Sequence, residues 1–288
     1  MEECQKEFDI EGEYRKNVNL KREDVQLVRK WMQNQSKYPE VSDHQLFLFL
    51  HSNYYDIENT KSTIDAYFTQ RANWPQVFRN RNPNLPSAKL HTNVCVQYPL
   101  KQQTKEGYRV IYAKAVDCIP ANFNFEQQLK LFFSIFELWL TKVPDSEGFI
   151  VILDALGMTW GHLPKFGISH ARKLVAYVQD AFPIRLKGIH VININPIIEK
   201  VIQLIRMFMK KELSDMTLAH STFETFYKYL PKEALPKDYG GDNATILELH
   251  KSMMETLEKN AAFFEDDDDE EEQKPKQKGR FSFLSSIY

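Results

Sequence analysis

The sequence predicts an α/β protein: an N-terminal helical bundle followed by a domain in which helices pack on a mixed β-sheet. Three observations carry this. Residues 21–80 keep a helical apolar rhythm, residues 92–116 change to β-rich stretches, and residues 148–219 twice follow a short apolar run with a helical segment. Short continuous apolar runs of this kind mark parallel strands buried on both faces, and the helices between them are the crossovers such strands require.

In the N-terminal part, Leu27, Val28 and Trp31 recur at helical spacing, and Ser42 and Asp43 offer caps before the apolar Leu46 to Leu50. Asp56 opens a segment in which Ile64, Tyr67 and Phe68 share a face, and Pro75 ends the run. Strand-like stretches follow at Val94 to Tyr98 and Tyr108 to Ala115, separated by the polar Lys101 to Gly107. A wide apolar helix is expected over Glu126 to Leu140, then a buried strand over Gly148 to Asp154. Ser169 is the expected cap of a one-sided helix carrying Ala171, Leu174, Val175, Val178 and Phe182, which Pro183 stops. Gly188 to Ile194 supplies the next strand, so the unit is βαβ with a right-handed crossover expected. Asn195 and Pro196 cap and start another helix through about Lys211, and Met216 to Ala219 form one more strand. A last helix is expected from Thr245 to Phe264. The chain thus divides into a helical region over 1–90, an α/β domain over 91–264, and a tail over 265–288. The tail carries eight consecutive acidic residues and then Lys274, Lys276, Lys278 and Arg280, and is expected to be disordered for want of apolar surface to bury.

The helix after Asn195 is unusual. Between Ile197 and Met209 only Glu199, Lys200, Gln203 and Arg206 are polar. At about 100° per residue they form a stripe of roughly 120°, so the apolar sector exceeds what packing on one sheet demands. Thirteen or fourteen residues make about 20 Å of helix, too short for a bilayer. Such a helix is buried between two protein layers, or it is a lid over an apolar cavity that also touches membrane.

Composition narrows the function. Without the tail the chain holds 33 basic and 31 acidic residues, which gives no broad basic field for nucleic acid. Cys4, Cys95 and Cys118 are odd in number and lack motif spacing, so neither a disulfide framework nor a zinc site is expected, and a reducing compartment fits. The charged first residues lack the apolar core of a signal peptide, and no apolar run reaches a membrane span, so the protein is expected in the cytoplasm. No cofactor is expected: phosphate-binding glycine motifs are absent, and His162, His170, His190 and His220 show no metal-ligand pairing, His190 and His220 reading as strand-end residues. Gly167 to Ala171 has some likeness to the Gly-x-Ser-x-Gly elbow of serine hydrolases, but no strand precedes Ser169, so no catalytic residue is assigned.

Several segments resemble the CRAL-TRIO lipid-binding family in order and spacing over roughly residues 40 to 250. These are Asp43 to Leu50 with Tyr55 to Glu58, Gly148 to Asp154 with Gly157, and Gln179 to Pro183 with Lys187 to His190 and Asn193. Leu230 with Pro231, Leu235 with Pro236, and Tyr239 to Gly241 complete the set. The family's usual basic residues near the first segment are replaced by Leu48, His51 and Asn53.

The resemblance implies a pocket floored by the sheet and closed by a mobile helix over Pro196 to Met209, holding one hydrophobic molecule. An apolar ligand costs about 0.8 kcal/mol per CH₂ exposed to water, so a carrier must enclose it. Expected wall residues are Phe132, Phe133, Phe136 and Leu140 from one helix, and Phe149, Val151, Leu153, Ile189 and Val191 from strands. Ile198, Ile202, Ile205 and Phe208 come from the lid. The branch that exchanges phosphatidylinositol uses a Glu and a Lys where this chain has Ile184 and Thr225, which disfavours a buried phosphate. The resemblance is nearer to the α-tocopherol transfer and retinaldehyde-binding branch, which carries uncharged isoprenoid-type molecules and meets membrane phosphoinositides at a basic cleft. Arg185 and Lys187 match that cleft, its second pair falls on Glu212 and Met216, and Lys210 and Lys211 are the expected substitutes. The expected protein is a monomeric carrier in transient contact with membranes. The alternative is a lipid-sensing signalling or scaffold protein.

Overall fold

Side chains of Asp9, Ser42 and Asp56 cap three of the N-terminal helices. The computed structural model describes residues 8–85, 91–143 and 146–267. Helix α1 (Ile10–Lys16) starts at Asp9, and α2 (Arg22–Gln33) buries Val25, Val28 and Met32. Leu27, expected on that buried face, is exposed instead, because the face runs through residues three and four apart from Val28. Helix α3 (Asp43–Ser52) opens with a capping box in which Ser42 Oγ accepts from Gln45 N and Gln45 Oε1 accepts from Ser42 N. It is apolar all round, and Leu46 through Leu50 are all buried. Helix α4 (Ile57–Ala72) is capped by Asp56, and Pro75 occupies the first turn of α5 (Pro75–Phe78).

The sheet has the order β1-β2-β3-β4-β5. Strand β1 (Cys95–Pro99) is antiparallel to β2 (Arg109–Ala115), and β3 (Phe149–Asp154), β4 (Leu186–Ile192) and β5 (Thr217–Ala219) continue it in parallel. Each parallel step is bridged by helices: α6 (Phe125–Leu140), then α7 (Leu163–Phe166) with α8 (Ile168–Asp180), then α9 (Pro196–Arg206) with α10 (Lys211–Asp215). Helix α11 (Phe223–Phe226) and α12 (Ile246–Lys259) follow.

Three expected boundaries move. Helix α8 begins after Gly167 at φ 56°, and Ser169 lies in its first turn, where it caps nothing. Helix α9 ends at Arg206, and the chain turns before α10, so the single helix expected to reach Lys211 is two. Helix α12 stops at Lys259, and a 3₁₀ segment over Ala261–Asp267 carries the buried Phe263 and Phe264. The tail from 268 on, Cys4 and the first seven residues lie outside the described residues.

The alternation of strand side chains separates two faces. Ala113, Val151 and Ile189, with Leu153 and Val191, face α6, α8 and α9, and the N-terminal helices pack outside that layer. Tyr112, Ile152 and His190, adjacent in register, face the opposite way, towards α11 and the C-terminal segment.

Candidate functional site: an apolar cavity under helix α9

A cavity of about 270 Å³ lies between the first sheet face and the helices. Every strand contributes to its wall: Cys95 and Gln97 from β1, Ala113 from β2, Val151 and Leu153 from β3, Ile189 and Val191 from β4, Thr217 from β5. Four inter-strand spacings of about 4.8 Å make it roughly 19 Å from edge to edge. Helix α6 adds Phe125, Gln128, Leu129, Phe132 and Phe136, α8 adds Leu174, Val175 and Val178, and α9 closes it with Ile198, Val201, Ile202 and Ile205.

Helix α9 can do this because its polar stripe faces out. Asn195 Oδ1 accepts from Ile197 N at 3.0 Å and from Ile198 N at 3.1 Å, and Pro196 presets the first turn. Glu199, Lys200, Gln203 and Arg206 are exposed, while Ile197, Ile198, Val201 and Ile202 are buried.

Nine expected wall residues meet here: Phe132, Phe136, Val151, Leu153, Ile189, Val191, Ile198, Ile202 and Ile205. Four do not. Phe133 points away from the sheet and packs on Phe78 at 5.4 Å, Tyr177 at 5.0 Å and Phe182 at 5.3 Å. Leu140 is one turn beyond Phe136 and buried in the main core. Phe149 shares the face of Val151, but at the strand's start Phe136 and Trp139 press on it at 5.1 and 5.4 Å, so the cavity begins further along. Phe208 falls in the turn after α9, and Met209 reaches the wall in its place. The apolar face of α8 is legible as a stripe, but the layer it meets is not, and a polar Gln97 beside Cys95 on the inner face of β1 carries no apolar signal at all.

The motif residues gather at the end of β3. Asp154 accepts from Tyr112 Oη at 2.5 Å, from Lys114 Nζ at 3.2 Å, from Asn193 Nδ2 at 2.8 Å, from Leu156 N at 3.0 Å, and from Tyr239 Oη. Burial and the adjacent carboxylate push both phenols above the ordinary tyrosine value. Gly157 sits at φ 91°, and a Cβ there would lie 2.2 Å from Cys118 Sγ, so the turn requires glycine. This network fixes the loop ends at the cavity's rim.

The four expected phosphoinositide residues are separately engaged. Arg185 is buried, with Nη1 donating to Glu147 at 2.8 Å, Nε to the His51 carbonyl at 2.8 Å, and its guanidinium 4.2 Å from the Tyr54 ring centre. Lys187 donates to Tyr54 Oη at 2.8 Å. Lys210 pairs with Asp180 at 2.5 Å, and Lys211 pairs with Asp215. The first two therefore tie the loop after α3 to the sheet, and Lys210 ties α10 to α8.

Ser169 is exposed, and its neighbour His170 turns to Glu126 at 3.3 Å. His190 and His220, read as strand-end residues, form a buried pair instead, with ring nitrogens 2.9 Å apart on the sheet face away from the cavity.

Comparison with known proteins agrees with this architecture. The crystal structure of Sfh5 superposes with a TM-score of 0.52 over 72% of this chain and 74% of that one, at 11% identity, which shows the fold alone. "Alpha-tocopherol transfer protein-like" of Homo sapiens is 26% identical over 224 residues, 76% of this chain, the match spanning 64% of that protein's length. Clavesin-1 of Mus musculus is 21% identical over 234 residues, 80% of this chain and 66% of its own. Residues 17–88 match the family model of the Pinta-like UBA domain. Residues 95–241, half of the chain, match that of the CRAL/TRIO domain, and the chain belongs to that lipid-binding family.

Proposed function

We propose that the protein binds one uncharged, single-chain hydrophobic lipid of the tocopherol, retinoid or related isoprenoid type and transfers it between membranes. The observation that carries this is the cavity itself, roofed by the apolar face of α9 and lined mostly by apolar side chains. At about 30 Å³ per water it has room for several waters, yet most of its lining offers them no hydrogen bond, so an apolar occupant is favoured.

Membrane contact has support beside the cavity. Val116, Ile119, Leu156 and Trp160 are exposed by 41 to 58% on the loops after β2 and β3, and Lys200 of α9 lies 5.0 Å from the Trp160 ring centre. A tryptophan with an adjacent lysine suits the polar-apolar boundary of a bilayer. Among the described residues no helix is long and apolar enough to cross one. Arg185, Lys187, Lys210 and Lys211 would contact phosphoinositides only after leaving their present partners, so docking is read as apolar first and electrostatic second. The protein works as a cytoplasmic, monomeric carrier.

Transfer of a fluorescent tocopherol analogue from donor to acceptor vesicles tests the reading. The full chain is expected to accelerate transfer, and Trp160→Ala to slow it about tenfold while leaving binding intact. Binding without any acceleration of transfer favours the alternative, a lipid-sensing protein.

A further inference from the structure

Five polar residues line the cavity, and three have their polar groups engaged within the protein. Lys114 and Asp154 belong to the rim network, and Thr217 donates its hydroxyl to the Leu213 carbonyl at 2.8 Å. Gln97 and Gln128 differ. Gln97 Nε2 donates to the Gln128 carbonyl at 3.0 Å, and Gln128 Nε2 donates to the His91 carbonyl at 3.3 Å. Backbone carbonyls only accept, so these contacts fix which way each amide faces, since a flip would set oxygen against oxygen. Both side-chain oxygens are thereby turned away from the backbone, and both are buried without a hydrogen-bond partner, in residues 4% and 5% exposed. Two unpaired buried acceptors are unfavourable and call for a donor.

Their place in the cavity says where that donor comes from. Gln97 is paired in register with Ala113, itself a wall residue, and Gln128 stands between Phe125 and Phe132 on the inner face of α6. Both lie at the β1 edge, the opposite end from Thr217. Each amide nitrogen stays on its backbone carbonyl, and each oxygen remains the free acceptor for a donor that arrives in the cavity.

Resting on the carrier reading, we propose that Gln97 and Gln128 form a hydrogen-bond subsite that selects a cargo with a hydroxyl at its end, an alcohol or phenol. The corresponding ether, ester or aldehyde offers only acceptors there and leaves the two oxygens unpaired. One hydroxyl hydrogen serves one oxygen at a time, so losing either glutamine weakens the preference and losing both removes it.

The test compares geranylgeraniol with its methyl ether, which share the chain and differ in the donor hydrogen. Binding of each tritiated probe to the full chain, Gln97→Leu, Gln128→Leu and the double variant is measured by retention on gel filtration. The alcohol is expected to bind roughly tenfold more tightly than the ether, the effect of one hydrogen bond. The preference shrinks in each single variant and vanishes in the double one, while an unchanged thermal unfolding transition by circular dichroism reports an intact fold. Equal binding of both probes by the wild type overturns the inference, and that comparison stands alone should a variant not fold. A preference that survives in the double variant overturns it too. Binding of neither probe removes the carrier reading itself, and the inference with it.

Discussion

Glu137 lies in the apolar helix α6, fully buried, and its carboxylate takes Arg71 at 2.5 Å on one oxygen and Arg81 on the other. Removing one partner of a buried pair leaves charge without its counterpart, at a cost of about 3–5 kcal/mol. Glu137→Leu is therefore expected to lower unfolding stability in urea by about that amount, and a loss below about 1 kcal/mol would show that the two arginines do not depend on it. Nothing in the sequence pattern distinguishes Glu137 from a solvent-facing residue, because its partners are 56 and 66 positions away. The histidine pair is legible only in three dimensions for the same reason. Burial, and for His190 also its neighbour His220, lowers both rings below the ordinary histidine value, His190 to about 4. The unfolded chain titrates near pH 6.5, so the stability the neutral pair contributes is complete above about that pH and is lost as the pH falls towards 4. The thermal midpoint is expected to drop across that window, and the replacement His190→Phe to flatten the drop.

Helix α6 shows at the level of the element why periodicity reveals half of a site. Its apolar residues cover most of its surface, and the sequence cannot say which of two neighbours each meets. Phe132 and Phe136 line the cavity, whereas Phe133 enters the aromatic cluster under the N-terminal helices. The two positions should respond differently to truncation. Phe133→Ala empties a close-packed site and is expected to cost about 3–5 kcal/mol. Ile202→Ala on α9 borders space already open, so it should cost under about 2 kcal/mol and instead weaken cargo binding about tenfold. Chemical unfolding and probe binding on both variants decide it; equal stability losses would mean that α9 packs as core. Strand alternation fared better, because a residue's face in a sheet follows from its parity: Val151, Leu153, Ile189 and Val191 were legible from sequence. Only Phe149 was misplaced, because the cavity's end is set by Trp139 on another element.

Across the whole molecule, the parallel strands, their crossovers and the order of helical region and sheet were all legible in apolar patterning. The closing turn between α9 and α10 was not, because the apolar pattern continues through Met207, Phe208 and Met209 without interruption. Equally hidden was the use of Arg185 as a tie to the loop after α3, where Tyr54 and Tyr55 hold positive φ of 52° and 65°. The resulting body has a cavity spanning its five strands, a roof apolar inside and polar outside, and an exposed apolar rim beside it. A cargo present at a hundredfold its dissociation constant would stabilise this fold by about 2.7 kcal/mol. The most direct test is native mass spectrometry of the purified protein after incubation with donor vesicles containing tocopherol, a retinoid alcohol and phosphatidylinositol. A complex of one chain with one uncharged lipid is expected; a chain that emerges empty, or loaded with phosphatidylinositol, would rule out a carrier of uncharged cargo.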